Sequence, residues 1–75
     1  MKSSVTFPEY ERLLLLKQRA DALSAEIGGF ILEVYSILGV DGNDSDYPWA
    51  HDLILNSKNQ TVASWLDRHG VTRDF

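Results

Sequence analysis

Read from the N-terminus, the apolar residues settle into a three-four spacing at Leu13 and hold it to Ile37. The series is Leu13, Leu16, Ala20, Leu23, Ile27, Phe30, Val34 and Ile37. This is a heptad seam, the pattern of a helix laid against another helix. Its start is marked in the sequence. Thr6 is a good N-cap, Pro8 suits the first turn, and Glu9 stands three residues after Thr6 as the second half of a capping box. Glu9 and Glu11 also suit the positive end of the helix dipole. No proline follows until Pro48, and Gly39 is a natural residue to end the helix.

The pattern therefore predicts one long N-terminal helix of about 30 residues. Gly28-Gly29 interrupts it at a cost of roughly 2 kcal/mol in helix propensity. The heptad phase runs through the pair without a slip, and no capping residue stands near Phe30, so the glycines predict a bend. A hairpin break there is the alternative. Ala22, Ala25 and Gly29 form a stripe of small residues away from the seam, where another backbone could approach.

After Gly39 the periodicity ends. Val40 to Tyr47 is dominated by turn formers, with Asp46 placed to cap a short helix from Pro48 to about Leu55. Trp49, Leu53, Ile54 and Leu55 are its apolar residues. Ser57 or Asn59 can cap a third helix ending at Arg68 or His69 before Gly70, with Val62, Trp65 and Leu66 on its inner face. The fold class is thus all-α: a single small domain over 1–75, one long helix and two short helices packed back on it. The short helices supply few large apolar residues against the seam. A homodimer of coiled-coil type, or a complex with another helical protein, is expected to cover the rest.

Composition narrows the setting. The chain has 75 residues, 44% of them hydrophobic, and no cysteine, so disulfides and thiolate metal sites are ruled out. No apolar run is long enough to span a bilayer, and Met1-Lys2-Ser3-Ser4 is not followed by the apolar core of a secretory signal. A cytoplasmic protein is expected. The net charge of −4 is unevenly spread. Residues 20–56 hold Asp21, Glu26, Glu33, Asp41, Asp44, Asp46 and Asp52 without one Lys or Arg. Such a middle repels nucleic acid and attracts basic protein surfaces, although solvated faces explain most charge runs.

Several constellations carry chemistry in principle. Asp41, Asn43, Ser45, Tyr47 and Asp52 fall on ligand positions of a calcium loop, but Asp46 replaces the turn glycine and Asp52 the bidentate glutamate. The stretch from Leu53 to Leu66 resembles the second half of a helix-turn-helix. There Gln60, Thr61 and Ser64 would face bases, and Lys58 and Arg68 phosphates. His51 and His69 lie near Asp52 and Asp67 without any known ligand spacing. Asn43-Asp44-Ser45 and Asn59-Gln60-Thr61 match glycosylation sequons by chance. No nucleophile elbow or glycine-rich loop is present, and neither a metal nor a cofactor is expected.

These observations point to a non-enzymatic protein-interaction module. It would be a small acidic inhibitor or regulator, of the kind carried by phages and mobile elements, that occupies a surface of a larger protein. Its expected contact patch is Asp41, Asp44, Asp46, Tyr47, Trp49 and Asp52, where negative charge adjoins two aromatic anchors. The partner is a protein with a basic surface; neither nucleic acid nor membrane is expected. A helix-turn-helix-like transcriptional regulator is the alternative.

Overall fold

A short strand, β1 (Ser4–Thr6), runs directly into helix α1 (Phe7–Ala22) in a computed structural model that describes residues 2–23, 25–40 and 49–75. The carboxylate of Glu9 accepts the Thr6 backbone N–H and the Thr6 hydroxyl, each at 3.0 Å, and pairs with the Lys2 ammonium. Lys2 first, and then the Thr6 N–H, hold the Glu9 carboxyl below its ordinary pKa.

The long helix of the sequence reading is two helices. α1 stops at Ala22, where Leu23 turns to extended backbone with its N–H on the Arg19 carbonyl at 3.0 Å. Glu26 adopts a left-handed conformation, φ 66°, and α2 (Ile27–Leu38) starts behind it. The break thus precedes the glycines, and Gly28 and Gly29 lie inside the first turn of α2. A continuous helix of about 30 residues would be about 45 Å long, whereas the whole molecule measures 31 Å along its longest axis.

Breaking the helix folds the seam onto itself. Leu13, Leu16 and Ala20 of α1 are buried, as are Ile31, Val34 and Leu38 of α2. On α2 Val34 keeps its inward place, while Ile31 and Leu38 take the places expected of Phe30 and Ile37, which sit at the edge of the core; Leu23 is 47% exposed. Arg12 donates from Nε to Glu33 Oε2 at 2.9 Å, tying the two helices together from outside. Much of the surface that called for a second chain is therefore covered within this one. The radius of gyration, 11.3 Å, is about that of any compact chain of this length.

α3 (Trp49–Leu55) and α4 (Val62–Arg68) close the core. Ala50, Leu53 and Ile54 face inward from α3, and Val62, Trp65 and Leu66 from α4; Trp65 is wholly buried. The cap of α4 is Thr61, whose hydroxyl accepts the Ser64 N–H at 3.1 Å, and not Ser57 or Asn59. The Ser57 hydroxyl instead donates to the Leu53 carbonyl in the interior. α2 and α4 are followed by Gly39 and Gly70 at φ 69° and 74°, a conformation most side chains resist.

Past Gly70 the chain forms β2 (Thr72–Asp74), paired in parallel with β1 in the register Ser4↔Thr72, Val5↔Arg73 and Thr6↔Asp74. This pair corrects the all-α reading: the fold is mostly helical with a small sheet joining the two ends of the chain. Val5 enters the core from β1, while Phe75 packs on Phe7 and Tyr10 with ring centroids 5.2 and 5.3 Å apart. No helix among the described residues is long and apolar enough to cross a membrane.

Candidate functional site

Two features of α3 bear on function, one polar and one apolar. The polar one is Asp52, 7% exposed. Its Oδ2 accepts the Trp65 indole N–H at 2.6 Å, faces His69 Nε2 at 2.8 Å, and accepts from Arg68 Nη2 at 3.1 Å. Trp49 closes the group, its ring edge-on to His69 with centroids 4.4 Å apart and to Trp65 at 6.2 Å. A buried carboxylate is tolerated only with such partners. Here one oxygen joins α3 to α4 and to the residue that follows it. Among the described residues no buried side-chain nitrogen or oxygen lacks a hydrogen-bond partner.

An imidazole beside a carboxylate can act in proton transfer when a substrate hollow adjoins it. Two hollows formed by described residues, one beside Ile54 and Leu55 and one beside Asp67 and Arg73, are lined by neither Asp52 nor His69. His51, the other histidine, faces the Tyr35 ring at 6.1 Å and takes no part in the group. No three His, Asp or Glu side chains converge as metal ligands would among the described residues.

The apolar feature is a groove of about 530 Å³ where the end of α1, the start of α2 and the end of α3 meet. Ala20, Ile27 and Ile54 contribute to its floor. Leu23 and Leu55, 47% and 45% exposed, stand at its sides, and Asp21, Lys58 and Asn59 form its polar rim. Asp21 is held by the ammonium of Lys17, a buried lysine, at 2.9 Å. The two non-glycine residues with left-handed backbone among those described, Glu26 and Asn59, precede Ile27 and line the rim respectively.

The sequence-predicted patch divides. Asp41, Asp44, Asp46 and Tyr47 lie outside the described residues, as do Asn43 and Ser45 of the calcium-loop reading. Trp49 is partly exposed and packed on Trp65 and His69. Asp52 turns inward and is buried. The helix-turn-helix reading meets a six-residue connection between α3 and α4 in place of a three-residue turn. Thr61 is engaged in capping and Arg68 in holding Asp52. The small stripe of Ala22, Ala25 and Gly29 is exposed, and a methyl group added at Gly28 or Gly29 would meet nothing within 4 Å.

The groove was not foreseen, although Leu53-Ile54-Leu55 carried a signal. Successive helix side chains point about 100° apart, so three apolar residues in a row leave one facing out. No known family model matches the chain, and neither does any curated protein or solved structure.

Proposed function

We propose that this chain is a non-enzymatic protein-interaction module, a small acidic inhibitor or regulator that works in the cytoplasm by occupying a surface of a larger protein. The observation that carries this reading is the groove between Leu23 and Leu55, two large apolar side chains left half in water on a molecule with a small core. Clustered exposed apolar surface of that kind marks a contact site more often than scattered single residues do. Leu32, 68% exposed beside the open surface at Gly28 and Gly29, adds a second apolar point on α2. The chemically distinctive side chains Asp52, His69 and Trp65 support it differently, because they are engaged with one another.

In this reading the acidic run Asp41, Asp44 and Asp46, with Tyr47 and Trp49, steers a basic protein surface into encounter. Asp52 leaves that set for the interior. The module needs no cofactor, and a homodimer through Leu32 is a second form its contacts can take. The test is to capture a partner from the native host with the tagged chain and then rebuild the complex from the two purified proteins. The expected result is a stoichiometric complex with a dissociation constant of roughly micromolar or tighter. Failure to rebuild any complex, together with sequence-dependent DNA binding lost on Lys58→Ala, would replace the reading with the regulator one.

A further inference from the structure

The groove has a charge as well as a shape. Asp21 on its rim is neutralised by Lys17, but Lys58 forms no ion pair or side-chain hydrogen bond among the described residues. One uncompensated cation therefore stands at the edge of an apolar hollow, in a protein whose net charge is −4. An apolar hollow with one such cation selects an apolar group with a carboxylate beside it.

The size and openness of the hollow favour one source for that group. A small ligand binds well when most of its surface is enclosed, and walls that are themselves 47% and 45% exposed enclose little. A second copy of the chain carries the same net charge of −4, and like charge of that size opposes self-association. A side chain carried by a larger protein meets neither difficulty, because the rest of that protein covers the outer faces of Leu23 and Leu55.

We propose that the groove receives a segment of a partner protein in which an apolar residue adjoins Asp or Glu, the apolar side chain entering between Leu23 and Leu55 and the carboxylate meeting Lys58. This rests on the reading of the chain as an interaction module and names the contact such a module makes. The exposed position of Leu55 and Lys58 means that both can be changed without opening the core.

The test is selection of a random peptide display library against the intact chain, with binding of the enriched peptides mapped by methyl and amide NMR shifts. Enriched peptides are expected to pair Leu, Ile or Phe with an acidic neighbour and to shift Leu23, Ile27, Ile54 and Leu55. Leu55→Asp should weaken them by roughly tenfold or more, with an unchanged circular dichroism spectrum. Repeating the selection on Lys58→Glu should exchange the acidic preference for Lys or Arg. Peptides that map to another face would overturn the groove assignment and leave the interaction reading standing. No enrichment, combined with no rebuilt complex from the host, would overturn both. Decanoate binding to the groove where peptides do not bind would make it a small-ligand site. Self-association of the chain abolished by Leu55→Asp would make its occupant a second copy. Either of these results contradicts the proposal.

Discussion

Asp52 and Leu55 stand about one helical turn apart on α3 and show opposite relations to the rest of the molecule. Asp52 is the more conspicuous residue, an acid within an apolar helix, and the structure engages it fully: Trp65, His69 and Arg68 all reach its Oδ2. Leu55 is an unremarked leucine, 45% exposed beside a groove. The contrast shows that a conspicuous residue type can be engaged in joining elements of the fold while a plain one is left in water. The contact site proposed above is flanked instead by ordinary apolar side chains left in water. The same contrast separates structural from functional substitutions.

The largest expected effect falls on the polar side. Trp65→Ala removes a wholly buried indole and the donor that holds Asp52, at a cost of about 3–5 kcal/mol. A chain of this length has a total stability of roughly 4–11 kcal/mol, so the variant should lose a large share of it, read as a much lower urea midpoint by circular dichroism. Asp52→Ala leaves the buried indole N–H and the Arg68 guanidinium without their acceptor, removes the partner of His69 Nε2, and should cost about 2–4 kcal/mol in urea denaturation. Asp52→Asn keeps an acceptor for Trp65 and should cost roughly half as much. If Asp52→Ala proved neutral, the polar centre would not be the structural joint described, and the comparison would collapse.

A smaller effect of opposite sign is expected in α2. Gly28 and Gly29 are helical, have no positive φ, and leave open space where a side chain would stand. Gly28→Ala and Gly29→Ala should each stabilise the fold by about 0.5–1 kcal/mol, read as a rise in melting temperature. Loss of partner binding in the stabilised variants would extend the contact surface from the groove onto α2.

The smallest effect concerns pH. The Glu9 carboxyl is held below its ordinary pKa by Lys2 and the Thr6 N–H, so the folded state binds this proton less readily than the unfolded chain does. The resulting stability is present above the ordinary glutamate range and is lost as pH falls through the depressed value. Solvent screening keeps it under about 1 kcal/mol. Between pH 6 and pH 3, Glu9→Gln should therefore lose slightly less melting temperature than the unaltered chain.

Much of this fold was legible in local chemistry. Thr6, Pro8 and Glu9 mark the true start of α1, Gly39 the end of α2 and Gly70 the end of α4, and Trp65 is the core residue its position suggested. Three features were not legible. The break at Leu23–Glu26 lies where the heptad phase is unbroken, because the slip from Phe30 to Ile31 on the inner face is visible only once both helices are packed. The glycine pair drew attention as the weakest point of the helix, yet both glycines are helical and α2 begins before them, behind a left-handed Glu26. The parallel strands join segments more than sixty residues apart through three residues each, too short for any periodic signal. Of the candidate site, Trp49 kept its exposure. The burial of Asp52 was not legible, because an acid in a helix reads as solvent-facing until a buried donor such as Trp65 is found beside it.

The central claim is that the polar centre holds the fold while the apolar groove meets the partner. The measurement that tests it most directly is to follow Leu55→Asp and Asp52→Asn side by side, taking unfolding free energy from urea denaturation and partner affinity from calorimetry. Leu55→Asp should keep its stability to within about 0.5 kcal/mol and lose binding, whereas Asp52→Asn should lose stability and, while folded, still bind. Full binding by Leu55→Asp, or loss of binding by folded Asp52→Asn, would contradict it.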